Sequence, residues 1–369
     1  MPARLSASLI VRDESAFIED CLKSLVGNVD EIVLADTGSR DDTLAKAARY
    51  PISLHHFTWC GDFSAARNYA IERSTGDWIL YIDADERLVV PDRARLRAML
   101  DEKDKAAFKL RLHPRVGWTA YAELRLFRND PRIRFQGVIH ERVQDHVEKV
   151  CESDGLLVGT SDLTLHHVGY EGDQTHKLGR NIPLLRDYLA REPTRVYCWW
   201  HLGEMLRLAG DEAGAREAWA NGIAVVRGRP PQSVTASESP PHMSLIQLLS
   251  SRGESPGPLL DEALTLFPHN LALQWMAAKL SIEAGDDERA RPILERLSAI
   301  DADTLFDPDL AYEKALFSHL SREALALCHF RAGRFAEAAR WYRAAAPAAP
   351  DPAACELKAR LAEARLAAR

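Results

Sequence analysis

Trp78-Ile79-Leu80-Tyr81-Ile82-Asp83-Ala84-Asp85-Glu86 decides how this chain is read. Five apolar residues in a row, β-branched and aromatic types among them, predict a strand buried on both faces. Two carboxylates two residues apart follow at its exit. The strand's period of two directs Asp83 and Asp85 to one side, where the strand gives way to a loop. Carboxylate oxygens suit hard divalent cations, which are often shared with the phosphates of a substrate rather than caged by protein alone. Asp-x-Asp is also a common surface triplet, so its meaning depends on what else the sequence brings to the same edge.

Three more strand-helix units precede it. Residues 5–11 read as a strand, and residues 15–25 as an amphipathic helix with Phe17, Ile18, Cys21, Leu22 and Leu25 on one stripe. Residues 31–35 are a second strand, and Asp41-Asp42-Thr43 caps a helix running toward Arg49. Residues 52–57 form a third strand and 63–73 a helix, with 78–82 the fourth strand. Such alternation predicts an α/β domain with a mostly parallel sheet covered on both faces. Sheets of this kind bind ligands at the carboxyl ends of their strands. Arg12-Asp13, Asp36-Thr37 and Asp83-Ala84-Asp85 all fall there. From residue 106 to 168 the pattern is β-rich, with strand-like runs at 123–127, 133–139 and 156–167 that complete a mixed sheet and the far side of a cleft.

After residue 178 the chain turns helical and alanine-rich. Three segments share small residues, a glycine turn and an aromatic: Trp199 to Trp219 around Gly210, Ala277 to Ala290 around Gly285, and Leu325 to Pro350 around Gly333. Stacked helical hairpins need those residues at those places, and the pattern resembles tetratricopeptide repeats. The glycine spacings are 75 and 48 residues, so the array is degenerate. The Pro/Ser-rich residues 228–241 interrupt it as a loop or hinge. The expected domains are 1–177 and 178–369.

Composition sets the outer limits. The chain has 369 residues, 46% hydrophobic and 27% charged, which is ordinary for a soluble globular protein of two or three domains. A formal net charge of -7 argues against nucleic acid or an anionic membrane as the main partner. Six scattered cysteines with no Cys-x-x-Cys pair favour reduced thiols in a cytoplasm. No apolar stretch approaches the roughly 20 residues of a membrane helix, and the first ten residues lack a signal peptide's apolar core. Nor is there a Gly-x-Ser-x-Gly, a Walker-type Gly-Lys-Ser/Thr or a His-Glu-x-x-His.

Taken in order, Ser8-Leu9-Ile10-Val11-Arg12-Asp13-Glu14, Asp36-Thr37-Gly38-Ser39, Asp62-Phe63-Ser64-Ala65-Ala66-Arg67-Asn68 and Asp83-Ala84-Asp85-Glu86 form a series. That series resembles the inverting family 2 glycosyltransferases, which have the GT-A fold. More narrowly, it resembles the bacterial subgroup whose transferase domain is followed by tetratricopeptide-like helices. The catalytic resemblance covers about residues 5–182. One departure is Arg12-Asp13, where relatives usually carry Lys-Asn.

The resemblance implies a nucleotide-sugar donor, UDP-linked, and Mn²⁺ or Mg²⁺. Arg12, Glu14, Asp36, Arg67, Asp83 and Asp85 would line the donor side. Asp36 would bond the uracil or ribose, the alternative being a turn residue. Arg67 would face the nucleotide or, alternatively, be a solvated helix charge. Asp83 would contact the ribose or the metal's water shell, and Asp85 would coordinate the metal. Relatives carry His-x-Gly-Tyr where this chain has His167-Val168-Gly169-Tyr170, which makes His167 a metal ligand or else a histidine satisfied within the fold. Lys177 and Arg180 would contact phosphate or lie on a solvated face. Gly137-Val138-Ile139-His140-Glu141 falls at the acceptor-side acidic motif. Glu141 is therefore the candidate base, with a salt bridge to Arg142 or Arg125 as the alternative.

The acceptor expected is a peptide or protein side chain held by the repeats. Two other readings are a transferase of cell-envelope polysaccharide and a non-catalytic scaffold on a retired transferase fold. Trp199, Trp200 and Trp219 would pack between repeats or form a homodimer face.

Overall fold

The computed structural model describes residues 2–169 and 175–368, which form two compact units. The first comprises residues 1–116 and 121–211, and the second comprises 117–120 and 212–369.

The first unit is built on one eight-stranded mixed sheet: β1 (Leu5–Val11), β2 (Glu31–Asp36), β3 (Ser53–His56), β4 (Trp78–Tyr81), β5 (Glu86–Val89), β6 (Lys105–His113), β7 (Tyr121–Arg128) and β8 (Leu157–His167). Their spatial order is β3-β2-β1-β4-β7-β6-β8-β5. The first four strands pair in parallel, as their alternation with α1 (Ile18–Leu25), α2 (Thr43–Ala47) and α3 (Phe63–Ile71) requires. Beyond β4 the sheet turns mixed: β4 with β7, β7 with β6 and β8 with β5 are antiparallel, while β6 and β8 run parallel. This is the arrangement expected of a GT-A domain.

β4 sits at the centre because both of its faces are apolar. Trp78, Leu80 and Ile82 enter the core formed with Leu9, Leu22, Leu96 and Leu100, the last two from α4 (Arg93–Leu100). Ile79 and Tyr81 enter the opposite core with Phe127, Phe135, Val147 and Val150, the last two from α5 (Gln144–Asp154). The period of two thus fills both layers from one strand. The Trp78 indole also donates to Leu100 O at 2.8 Å, so its one polar atom is satisfied in the core.

Residues 133–139 are not a strand. Ile133, Phe135 and Ile139 are buried as an alternating strand would bury them, but the backbone bonds elsewhere. The Asn68 side chain takes the place of a neighbouring strand, accepting from Phe135 N at 2.8 Å and donating to Phe135 O at 3.0 Å. α6 (Leu178–Arg191) and α7 (Val196–Leu208) group with the sheet unit.

The second unit is helical, with α8 (Glu212–Arg227), α9 (Pro240–Ser251), α10 (Gly257–Leu266), α11 (Leu271–Glu283), α12 (Asp287–Ser298), α13 (His319–Arg331), α14 (Phe335–Ala345) and α15 (Pro352–Ala367). Residues 228–241 hold two 3-10 turns, the second closed by a capping box between Thr235 and Glu238. Gly285 and Gly333 end α11 and α13 at φ +81° and +72°, a conformation that costs glycine little. In each case the next amide bonds back to the helix, Asp286 N to Ser281 O at 2.8 Å and Arg334 N to His329 O at 2.9 Å. The repeated glycine in the sequence is therefore one helix-ending device used repeatedly. Trp219 is buried. Among the described residues no helix is long and apolar enough to cross a membrane.

Candidate active site

The carboxyl ends of β1, β2 and β4 lie side by side, since β1 pairs with both others and Val11 stands opposite Asp36. The loops leaving β1 and β2 are laced together. Asp13 N donates to Ser39 Oγ (3.1 Å), Arg40 N to Asp13 Oδ1 (2.7 Å) and Glu14 N to Thr43 Oγ1 (2.7 Å). Asp36, the last residue of β2, is 4% exposed. Its Oδ1 accepts from Ser39 N at 2.9 Å, and its Oδ2 lies 3.4 Å from His56 Nδ1 at the end of β3. His56 at this edge was not singled out in the sequence; its position at a third strand end was the available signal.

Asp83 leaves β4 into a charged relay. Arg67, on α3, is 8% exposed and donates from Nη2 to Asp83 Oδ1 at 2.8 Å and from Nε to Glu141 Oε1 at 2.5 Å. Burial opposes the charge on Asp83, but Arg67 and then Arg125 outweigh it and hold the carboxyl below the usual carboxylate range. Arg67 is thus neither a solvated charge nor free to swing. The arginines considered for Glu141 are engaged elsewhere: Arg142 pairs with Asp145 at 2.7 Å, and Arg125 forks onto Glu86 at 3.0 and 2.8 Å. That Arg125–Glu86 pair is buried, and Glu86 Oε2 also accepts from Asp83 N at 2.9 Å, which braces the loop that carries Asp85. Glu141 Oε1 is taken by Arg67, and among the described residues no hydrogen bond reaches its Oε2.

Asp85 and His167 meet across the β5–β8 pairing, with Oδ2 and Nε2 3.2 Å apart. Burial works against a charged His167, but Asp85, with Glu86 and Asp83 beyond it, outweighs burial and raises the imidazole. Val168 N donates to Asp85 O at 2.9 Å, bringing the next turn of chain against the carboxylate. A Cβ on Gly169 would lie 2.0 Å from Asp85 Oδ2, so any larger residue there would force the carboxylate to shift. Tyr170, the last residue of the motif, lies outside the described residues.

Among the described residues, no three His, Cys, Asp or Glu side chains converge as a metal cage. One carboxylate oxygen and one imidazole nitrogen instead suit an ion that leaves most of its positions to phosphate and water, as Mn²⁺ and Mg²⁺ do.

Glu14 lies between the carboxylates of the acidic loop and the cations Lys177 and Arg180. Burial, then the charge of Asp85, pushes its carboxyl up to about 7, with Lys177 pulling the other way. Burial and then Arg12 lower Arg180, whose guanidinium also stands 5.0 Å from the Phe63 ring centre. Arg12, Lys177 and Arg180 therefore crowd positive charge beside the acidic loop, an arrangement that an anion spanning them would relieve.

Residues 6–146 match the family model described as glycosyl transferase family 2. Residues 257–315 and 310–352 match two tetratricopeptide repeat models. The chain is 39% identical over 239 residues to a TPR repeat-containing protein of Synechococcus elongatus, covering 63% of this chain and 59% of that one. It is 27% identical over 213 residues to the SPbeta prophage-derived glycosyltransferase SunS of Bacillus subtilis, covering 55% of this chain and 49% of that one. The chain thus spans about half to three fifths of these relatives' lengths. A solved structure of S. aureus TarS 1–349 in complex with UDP-GlcNAc aligns over 79% of this chain and 90% of that one, with 14% identity and a TM-score of 0.40. The N-terminal part of this chain is a family 2 glycosyltransferase domain, followed in sequence by tetratricopeptide repeats.

Proposed function

We propose that this protein transfers a sugar from a nucleoside-diphosphate donor, UDP-linked, to an acceptor with inversion, using Mn²⁺ or Mg²⁺ held by Asp85 and His167. The observation that carries the reading is the 3.2 Å approach of Asp85 Oδ2 to His167 Nε2 at the strand edge where Asp36 and Asp83 also emerge. A divalent ion held there by Asp85 and His167 would supply positive charge to neutralise the departing diphosphate.

The remaining work falls to side chains. Asp36, held by Ser39 and His56, receives the nucleoside, and Arg12, Lys177 and Arg180 receive the diphosphate. Asp83, fixed by Arg67, borders the ribose, while Glu14 faces the same space. Inversion needs one displacement. The acceptor heteroatom bonds the anomeric carbon as the bond to the diphosphate oxygen breaks, and the acceptor's proton passes to a base. Glu141 Oε2 is the oxygen left open for that proton. A peptide or protein acceptor fits the repeats, because stacked helical hairpins offer an extended surface. The free state of all six cysteines suits a cytoplasmic setting.

UDP-, GDP- and dTDP-sugars are tested for nucleotide release with and without Mn²⁺. Metal-dependent UDP release from one sugar, abolished by Asp85→Ala, is the expected result. Folded protein that releases nucleotide from no donor would leave the scaffold reading instead. Peptides and glycans offered to the active donor then separate protein modification from polysaccharide assembly.

A further inference from the structure

The loop that presents Glu141 is fastened on three sides. Gln136 and Arg142 exchange backbone hydrogen bonds of 2.9 and 3.0 Å at its base. The amino end of α3 holds its near side, with Phe63 N donating to Val138 O at 3.0 Å and Ser64 Oγ to Gly137 O at 2.6 Å. The third fastening is His140. Its φ of +51° is left-handed, a conformation shared among described non-glycine residues only by Asp13. Such a backbone persists where its surroundings over-determine it.

Here those surroundings are rings. The His140 ring stacks on His201 of α7 with centroids 4.0 Å apart and meets Tyr197 edge-on at 5.3 Å. Both Nε2 atoms, of His140 and of His201, are buried without a hydrogen-bond partner among the described residues. Stacking, and not a hydrogen bond at either Nε2, joins the pair, and burial keeps both imidazoles neutral.

We infer that His140 is a positioning residue: clamped by His201 and Tyr197, its left-handed backbone turns the Glu141 carboxylate onto Arg67 and so aims its open oxygen at the acceptor. The inference rests on the reading of Glu141 as the acceptor's base. It makes α7, which the sequence assigned to the repeats, a support of the transferase site.

The test uses the full chain, with water as acceptor and the UDP-sugar selected by the donor panel. His140→Gly keeps the left-handed backbone and deletes the ring. It is expected to lower kcat for UDP release about tenfold or more, with the donor KM within about twofold of wild type. His201→Phe, which preserves stacking, retains wild-type kcat, and His201→Ala does not. Because His140 acts through Glu141, adding His140→Gly to Glu141→Gln costs nothing further. Full kcat in His140→Gly, or an undiminished loss on the Glu141→Gln background, would overturn the inference. Hydrogen exchange gives a readout that needs no turnover. Amides of residues 137–142 exchange about tenfold faster in His140→Gly while β1, β2 and β4 keep their protection. Unchanged exchange overturns the positioning role whatever the enzyme does. A wild type that releases no UDP overturns the transferase reading alone.

Discussion

Asp85 and Gly169 are matched to each other. The carboxylate occupies the space a side chain at residue 169 would need, 2.0 Å from where its Cβ would stand. Gly169→Ala is therefore expected to leave the sheet folded yet remove the thermal stabilisation that Mn²⁺ with UDP gives wild type, as checked by thermal shift. Stabilisation equal to wild type would show that Asp85 has room to move. The histidine pair supplies a pH test. Burial, resisted by Glu141 and reinforced by Arg195, takes His140 down to about 4, and His201 beside it falls as well. Unfolded, His140 titrates near 6.5, so below that pH the unfolded chain binds a proton that the folded one refuses until about 4. Its share of stability is whole above 6.5 and is lost toward 4, a change of about 3 kcal/mol. Urea unfolding at pH 7 and 4.5 should show a shallower pH dependence in His140→Gly than in wild type. The strand-end positions of Asp36, Asp83 and Asp85 were legible, because counting from an apolar run locates its exit. The partner of Glu141 was not legible. Arg67 lies 74 residues away in sequence, and only the tertiary fold decides that it, rather than neighbouring Arg142, makes the pair.

Among the elements, β4 carries the most structure per residue, since each of its side chains fills one of two cores. Trp78→Ala would open a cavity and strip Leu100 O of its indole donor, costing about 3–5 kcal/mol in urea unfolding. A cost below about 1 kcal/mol would contradict the central placement of this strand. The same apolar continuity made β4 easy to read. Residues 133–139 misled for the opposite reason. Their alternation is real and their burial follows it, but the Asn68 amide satisfies Phe135 in place of a neighbouring strand. Hydrophobic pattern reports burial, and only backbone pairing makes a strand. β5 escaped notice because Glu86-Arg87-Leu88-Val89 is short and half charged, its Glu86 neutralised by the distant Arg125. α5 buries Val147 and Val150 in the core, with Cys151 half-buried against it, too sparse a stripe for periodicity to detect.

For the whole molecule, two regimes of composition forecast two kinds of architecture, and the structure has a mixed sheet unit and a helical unit. The repeat was readable from its glycines because each ends a helix by the same left-handed turn. The grouping of α6 and α7 with the sheet could not be read, since both are helices with leucines at helical spacing, like the repeats that follow. The central claim is that Asp85 and His167 join a divalent ion to a nucleoside diphosphate. Titration of the full chain with UDP, in Mn²⁺ and then in chelator, tests it most directly. Wild type is expected to bind UDP at least about tenfold more tightly with Mn²⁺, and Asp85→Ala to bind it equally weakly in both. Equal affinity in wild type with and without the metal, or a metal effect that survives Asp85→Ala, would contradict the account.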